Sequence, residues 1–469
     1  MKTIAIIGCG FSGTMTAIQL IKNAAEPFSL VLIDHPGHFN RGIAYNPSSK
    51  KQLLNVTAAR MSAFQDKPDD FLNWVVGREE FTGIHRDVLA NTYLPRYFYG
   101  EYLESLWSEA LQSSIAQNVT VSIKHALATG MEVSDQEITL LLDNGEKVTA
   151  QFGVIATGNC LPGNPDIKNT GIFNHPRYYR NPWDAYAVKT PDLKFPVLIL
   201  GNGLTMADTV LGLVENGFDN EIHTLSPHGF TTLQHGQPAI GYTAIAGEFH
   251  NNRQSLTDLL RIVIKHIRLA RNQGLTAATV IDAIRPFTQQ IWQNLTIREK
   301  RLFLSRLRHL WDTARHRIPS QIHDKLMKLE ASGKLYLHSG KLIEITEDGD
   351  CLIVRFFDHL KQLTQEMRFS AVINCTGPVT DLMKAESGLL KKCLVNGILV
   401  QDELNLGIAT DPKTFEVYDG LHESRRNLFA IGPLLKGVLW ESTAVKELRE
   451  QAEAISKLLI NKIGQSSGG

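Results

Sequence analysis

The stretch Lys2-Thr-Ile-Ala-Ile-Ile-Gly8-Cys9-Gly10-Phe11-Ser12-Gly13 decides the fold. A short β-branched run enters a glycine turn and an apolar helical pattern follows. A second apolar run, Ser29-Leu-Val-Leu-Ile-Asp34, then ends in an acid. Gly8 permits the tight turn, Gly10 lets the backbone approach a pyrophosphate, and Gly13 lets the helix lie close on the strand. The first N–H groups of that helix attract the anion. Asp34 lies about 20 residues past the last glycine, where an acid accepts ribose hydroxyls. A glycine fingerprint alone is weak. With strand, helix, second strand and acid in sequence, it predicts an adenine dinucleotide site.

Further along, Phe195-Pro-Val-Leu-Ile-Leu200-Gly201-Asn202-Gly203-Leu204-Thr205-Met206 repeats the opening as a pattern, followed by a helix, a stop at Gly217 and the strand Glu221–Ser226. Met206 stands where a third glycine is expected, which predicts a helix held further off its strand. The strand ends without an acid, which tilts toward a 2′-phosphorylated nucleotide, although Ser226-Pro227-His228-Gly229 offers no arginine. Two buried strands run into glycine turns, at Ala156-Thr157-Gly158 and at Asn374-Cys375-Thr376-Gly377. Between the first of these and the opening, short alternating strands from Val119 onward include an Asp143-Asn-Gly145 hairpin signal. A Pro/Gly/Asn-rich segment from Asn159 to about Pro191 marks a boundary. From about 253 to 328 apolar residues recur at helical spacing, with Arg285-Pro286 as a break and Glu299–Trp311 as one helix. The cationic run Arg301, Arg306, Arg308, Arg315, His316 and Arg317 reads either as a solvated helix face or as an anion or nucleotide site. Finally Asn427-Leu-Phe-Ala-Ile-Gly432-Pro433 is a strand into a glycine turn, and Trp440-Glu441-Ser442-Thr443-Ala444 opens the last helix. The tail Gly464–Gly469 is Gly/Ser-rich.

At 469 residues the chain exceeds one core and predicts two or three domains. Lys plus Arg balances Asp plus Glu at 48 each, so there is no net field for nucleic acid or an anionic membrane. The apolar run at the N-terminus passes straight into the glycine turn and reads as a strand, not a signal peptide. No run is long enough to span a membrane. The five cysteines, Cys9, Cys160, Cys351, Cys375 and Cys393, have no metal-ligand or C-x-x-C spacing, so we expect reduced cytoplasmic thiols, no metal and no redox disulfide.

Together these motifs resemble the bacterial NAD(P)/FAD-binding proteins related to the flavin-dependent N-hydroxylating monooxygenases and, more distantly, to the glutathione-reductase-like flavoproteins. The residues that carry the resemblance are Gly8–Gly13, Gly42-Ile-Ala-Tyr45, Leu53-Leu-Asn55-Val56 with Arg60-Met-Ser-Ala-Phe64, Pro95-Arg96 and Tyr99-Gly-Glu-Tyr102. Gly201–Thr205 with Asp208, Arg315-His-Arg317, Asn374–Gly377, and Gly432-Pro433 with Trp440–Ala444 complete the set. Two departures, Met206 and Ser226–Gly229, fall on the nicotinamide side. The resemblance implies an α/β fold with two dinucleotide-binding, Rossmann-like three-layer ββα domains, the second inserted in the first, and an added helical segment. The expected division is an FAD-binding domain in two parts, 1–190 and 346–469, around an NAD(P)-binding domain at 191–345 that includes the helices of 253–328.

The resemblance places Gly8, Gly10, Ser12 and Gly13 at the FAD pyrophosphate and Asp34 at the ADP ribose, with Phe11, His35 and Tyr45 also among the cofactor-binding residues. Asn55, Val56 and Arg60 are expected near the flavin ring. Ala156, Thr157, Gly158, Gly432, Pro433, Glu441, Ser442 and Thr443 would close around the cofactor, with a helix N-terminus near Ser442 aimed at the pyrimidine edge. Gly201, Gly203, Leu204, Thr205, Thr376 and Gly377 would hold NADPH or NADH. Candidate catalytic positions are Asn55, Arg60, His235 and Trp440, the last two as pocket wall. Flavin carries the hard chemistry, so no catalytic triad is expected. Three readings follow. One is a class B-like flavin monooxygenase acting on a small molecule, another an NAD(P)H-dependent flavin oxidoreductase without oxygen insertion. The third is a non-catalytic FAD-binding protein with a degenerate nicotinamide site.

Overall fold

The computed structural model describes residues 1–46, 51–189, 194–236, 242–249, 253–385 and 388–465. Pro191, at the expected boundary, and the tail from 466 onward lie outside these residues. The chain divides into two compact units, one formed by 1–160 with 380–469 and the other by 161–379.

In the first unit, Lys2–Ile7 lies inside a six-stranded sheet. Its order is Glu416–Tyr418, Ser424–Ala430, Phe152–Ile155, Lys2–Ile7, Phe28–Asp34, Val119–His125. Every pairing is parallel except that of Glu416–Tyr418 with Ser424–Ala430. Inner parallel strands are covered on both faces and so read as near-continuous apolar runs. Ile4, Ala5, Ile6, Val154, Ile155, Leu428, Phe429 and Ala430 are accordingly fully buried. The helices Phe11–Lys22, Arg96–Ala116 and Val445–Gln465 contribute to the same core. A three-stranded antiparallel sheet, Ala128–Val133, Ile138–Leu142 and Lys147–Ala150, forms the further layer, its Ile138 lying over Gly153. The Asp143-Asn-Gly145 turn joins two of these strands, with Gly145 at φ +85° and its N–H donating to Leu142 O at 3.1 Å. Val119–His125 does not belong with that hairpin. It runs parallel beside Phe28–Asp34 as an edge strand, and its open flank explains the diluted apolar pattern.

The second unit carries a seven-stranded sheet in the order Leu363–Phe369, Cys351–Asp358, Leu335–Asp348, Ile222–Ser226, Val197–Leu200, Ala371–Asn374, Tyr178–Tyr179. Leu335–Asp348 serves two partners: its first half runs parallel to Ile222–Ser226 and its second half antiparallel to Cys351–Asp358, with a bulge between Leu342 and Glu344. This unit is wider than the expected 191–345. Tyr178–Tyr179 adds an edge strand beside Ala371–Asn374 at one end, and Cys351–Asp358 and Leu363–Phe369 extend the sheet at the other.

The segment 253–328 holds helices Leu256–Asn272, Ala277–Ile284, Thr288–Asn294, Ile297–Arg306, Arg308–Arg315 and the start of Ser320–Ala331. Ser255 caps the first through Asp258 N–H, and Thr296 with Glu299 forms a capping box at Ile297. Arg285-Pro286 lies in a short 3-10 turn between two helices. The stretch Glu299–Trp311, expected as one helix, breaks at Leu307, whose φ of −118° interrupts the regular backbone. Among the described residues no helix is long and apolar enough to cross a membrane.

Candidate functional site

The first glycine turn sits at the carboxyl edge of the six-stranded sheet, where open α/β sheets bind ligands. Gly8 has φ +92°, and a Cβ there would lie 2.5 Å from Ala156 O. No other residue fits. Gly13 is equally constrained, since a Cβ would overlap Gly8 O; helix and strand are in backbone contact. Gly10 caps the helix with extended backbone. The amides of Phe11, Ser12 and Gly13 precede the first intrahelical bond, Thr14 N–H to Gly10 O at 3.0 Å, and so stand as donors at the helix start. Asp34 is half-buried. Its carboxylate accepts from Cys9 N–H at 2.6 Å and His35 N–H at 2.7 Å, which locks the acid to the glycine turn and leaves lone pairs for a further donor. Cys9 beneath it is buried, and desolvation, followed by the Asp34 charge, pushes its thiol well above the ordinary value.

The loop after Asp34 is seated by glycines. Gly42, at φ +56°, and Gly10 pass backbone against backbone, each position's Cβ falling 3.1–3.3 Å from the other's Cα. Gly10 therefore admits this loop as well as any ligand. A Cβ on Gly100 would come 2.5 Å from Tyr45 O, and Arg41 grips Glu104 through two bonds of 2.7 and 2.8 Å. Tyr45 packs against Tyr99 with ring centroids 4.5 Å apart and planes tilted by 50°, and meets Phe11 edge-on at 6.4 Å; desolvation raises its hydroxyl to about 12. The motif Tyr99-Gly-Glu-Tyr102 thus works as packing for the helix start. His35 is exposed and accepts from Gly37 N–H.

Asn55 and Val56 are half-buried in a segment clamped to 92–96 by Leu54 N–H to Leu94 O, Ala58 N–H to Thr92 O and Arg96 Nε to Leu53 O, at 2.8–3.0 Å. Arg60 is exposed at the end of this clamp.

Gly432 follows the neighbouring strand end and has φ +86°; a Cβ there would lie 3.2 Å from Ser12 Oγ. Three bonds hold the turn: Gln451 Oε1 accepts Gly432 N–H at 3.0 Å, Ser442 Oγ donates to Gly432 O at 2.6 Å, and Gln451 Nε2 donates to Ser442 Oγ at 2.9 Å. The last helix begins at Val445, not at Ser442. Ser442 is fully buried as a turn brace, while Glu441 is buried and Thr443 exposed. Just before them Trp440 has φ +60° and ψ −67°, with Glu441 N–H bonded to Leu439 O at 2.8 Å. This is a γ-turn of the rare, strained kind, on a buried tryptophan whose ring carries Lys436 Nζ 5.0 Å away. Pro433 is half-buried beside it.

The second turn repeats the first. Gly201 has φ +105° and a Cβ there would lie 2.5 Å from Cys375 O, as Gly8 does against Ala156 O. Gly201 N–H bonds Leu225 O at 2.8 Å, matching Gly8 N–H to Ile33 O at 2.9 Å. Gly203 caps its helix at φ −87°, ψ −164°, against −71° and −163° for Gly10. Met206 is buried without moving the helix start. A Cβ on Gly203 meets nothing within 4 Å, so the space before this helix is open. Asn202 is buried, and both ends of its amide lack a hydrogen-bond partner. Leu204 and Thr205 are half-buried at the helix start.

By this register Ser226 takes the place of Asp34, and its hydroxyl accepts from Gly229 N–H at 3.1 Å. The strand ends Ala156-Thr157-Gly158 and Thr376-Gly377 both turn on a glycine of positive φ. Asn374, fully buried, accepts from Thr376 N–H and Oγ and donates to Gly163 O and Tyr178 Oη. His235 is half-buried, its amide bonded to Ile318 O. The two pocket-wall candidates, His235 and Trp440, belong one to each unit. Asn202, Gln451 and the brace at Ser442 escaped the sequence reading, because a polar residue between glycines or inside a helix carries no marker of what it faces.

Residues 5–160 match the model of the FAD-NAD(P)-binding family. No curated protein sequence matches the chain. Among solved structures, the chain resembles an ornithine N-hydroxylase of Kutzneria sp. 744, titled with reduced FAD, NADP+ and L-ornithine, at TM-score 0.65 and 13% identity over 98% of this chain and 99% of that one. An L-lysine 6-monooxygenase from Pseudomonas syringae aligns at TM-score 0.65 and 14% identity, covering 99% of both chains. The FAD-bound cadaverine monooxygenase of Erwinia amylovora aligns at 0.58 and 13%, over 98% of this chain and 94% of that one. At these identities the likeness establishes a two-domain dinucleotide-binding fold along the whole chain.

Proposed function

We propose that the protein is an FAD-dependent, NAD(P)H-using oxidoreductase, a class B-like flavin monooxygenase acting on a small molecule with a primary amine. The observation that carries this reading is the duplicated cradle, Gly8 against Ala156 and Gly201 against Cys375. Two cradles of matching geometry are what a flavin and its nicotinamide donor need. The amine substrate class is taken from the three similar enzymes named above. The absence of a membrane-spanning helix among the described residues fits the cytoplasmic setting we assign.

The residues at the first turn suit FAD. Amides of Phe11, Ser12 and Gly13 would face the pyrophosphate, where the helix dipole favours negative charge. Asp34, held by Cys9 and His35 amides, would accept the ribose hydroxyls without reorganising. Gly432, pinned by Ser442 and Gln451, presents backbone near Ser12. The buried, positive start of Val445–Gln465 would favour negative charge nearby, with Glu447 in its first turn partly opposing it. Gly201, Gly203, Leu204 and Thr205 would hold the donor, with the Asn202 amide supplying polar groups that have no protein partner. Bound FAD supplies hydride acceptance and reaction with oxygen; the chain binds, orients and excludes water.

The test is anaerobic mixing of FAD-loaded protein with NADPH and NADH while following the visible flavin absorbance. Bleaching is expected with at least one donor, followed on adding oxygen and lysine, ornithine or cadaverine by a hydroxylamine product. A protein that takes up FAD but bleaches with neither donor overturns the reading.

A further inference from the structure

A group of three histidines lies where the second strand of the second turn ends. His228 comes two residues after Ser226, and its ring stacks on His309 with centroids 4.2 Å apart and planes 22° from parallel. His309 comes from helix Arg308–Arg315, with Phe230 stacked on its ring at 5.5 Å. His359 closes the group: its Nδ1 lies 3.1 Å from Pro227 O, and its amide bonds Ser339 O at 2.7 Å. A carbonyl only accepts, so Nδ1 carries the ring proton and Nε2 presents a lone pair. The turn itself is fixed. Gly229 has φ +66° and packs on Ser339, and its N–H bonds Ser226 Oγ.

The place matters. In the first unit Asp34 occupies this register position, suited to two free ribose hydroxyls and repellent to a phosphate on one of them. In the second unit the neutral Ser226 replaces it. Two imidazoles, His309 and His359, and no carboxylate act on His228, while the nearby Asp312 is paired with Arg308 and Asp358 is held by the Leu360 and Lys361 amides, which makes His228 a poor ion-pair site and a good receptor for an anion.

We propose that His228, flanked by His309 and His359, receives the 2′-phosphate of a nicotinamide adenine dinucleotide phosphate. The proposal rests on the reading of Gly201–Thr205 as the donor site. It assigns the phosphate-reading role, for which the sequence offers no arginine, to residues about 80 and 130 positions apart, and it gives the helical segment a part in donor selection. It also makes donor preference depend on pH. Loss of water, then His309 and His359, hold the free His228 below the ordinary histidine value. A bound phosphate dianion reverses that, so binding takes up a proton and strengthens as pH falls toward the phosphate's own second pKa of about 6.

The probes are adenosine 2′,5′-bisphosphate and adenosine 5′-monophosphate, titrated calorimetrically into FAD-loaded protein. At about pH 6.5 the bisphosphate should bind about tenfold more tightly, as a charge-assisted contact allows, and at about pH 8.5 most of that advantage should be gone. His228→Gln should bind both probes with the monophosphate's affinity at either pH. His228 is exposed, and unchanged FAD content and circular dichroism verify that the variant folds. Equal binding of the two probes, a preference indifferent to pH, or a preference surviving in His228→Gln overturns the proposal. Failure of the donor-site reading is seen separately, as no binding of either probe and no bleaching by NADPH or NADH.

Discussion

Replacing His338 with phenylalanine should remove part of the acid sensitivity of the second unit. A chain of side chains crosses its sheet from Glu221 to His223 to His338, with His223 Nε2 3.1 Å from Glu221 Oε2 and His223 Nδ1 2.9 Å from His338 Nε2. The carboxylate fixes the order of protons: His223 donates from Nε2 and accepts at Nδ1, so His338 donates from Nε2 and leaves Nδ1 unprotonated, 3.9 Å from Asp358 Oδ2, whose charge pulls the other way. Burial first, then the neighbouring His223, lowers His338 from 6.5 to about 4. A histidine whose folded value is depressed contributes full stability above its unfolded value. That contribution is lost as pH falls, because the unfolded chain binds the proton first. The loss begins near pH 6.5 and levels off near 4. It amounts to about 1.4 kcal/mol at pH 5.5 and about 2.5 kcal/mol at pH 4.5 for this group alone. His223, lowered mainly by burial, adds in the same direction. Urea denaturation of wild type and His338→Phe at pH 7.5, 5.5 and 4.5, with the difference taken at each pH, isolates the group from the carboxylates both proteins share. The difference should move in favour of the variant by about 2.5 kcal/mol between the extremes. A difference that stays flat across that range refutes the reasoning.

Two further outcomes follow from the first unit. Gly13→Ala places a Cβ onto the Gly8 carbonyl, which no side chain can vacate, so it should cost about 2–3 kcal/mol or more and abolish FAD retention, read from thermal melting and flavin absorbance of the purified protein. Ser442→Ala should lower stability by about 1–3 kcal/mol through the unpartnered Gly432 carbonyl and Gln451 amide; retention of wild-type melting temperature and FAD affinity would contradict the brace.

The glycine turns were legible because each answers to backbone geometry. Gly8 and Gly201 are barred from carrying a Cβ by the carbonyl of the adjoining strand, and that constraint writes itself into sequence as spacing. The inserted arrangement was implied by the family resemblance, and the division of the chain into 1–160 with 380–469 and 161–379 agrees with it. Other features are set by residues distant in sequence. The meeting of His228, His309 and His359 depends on a helix packing back over a strand end, which no local period encodes. Trp440–Ala444 reads as the opening of the last helix because serine and threonine before an apolar run usually mark a helix start; here the Ser442 hydroxyl is claimed by Gly432 O and the helix begins at Val445. Val119–His125 was grouped with its sequence neighbours because an edge strand alternates much as a hairpin strand does. Met206 signalled a displaced helix, yet the cap at Gly203 keeps nearly the backbone of Gly10.

The interleaving of the first unit has a consequence during synthesis. Phe152–Ile155 lies between Lys2–Ile7 and Ser424–Ala430, and the second of these flanks emerges from the ribosome only after residues 161–379. At ordinary elongation rates the wait from Ile155 to Ala430 is roughly fourteen to fifty-five seconds. For its duration a wholly apolar strand waits with one flank unsatisfied, a template for pairing with another nascent chain. Messages truncated before residue 424 would make this state permanent, so their products should appear in the insoluble fraction, however well the inserted unit folds.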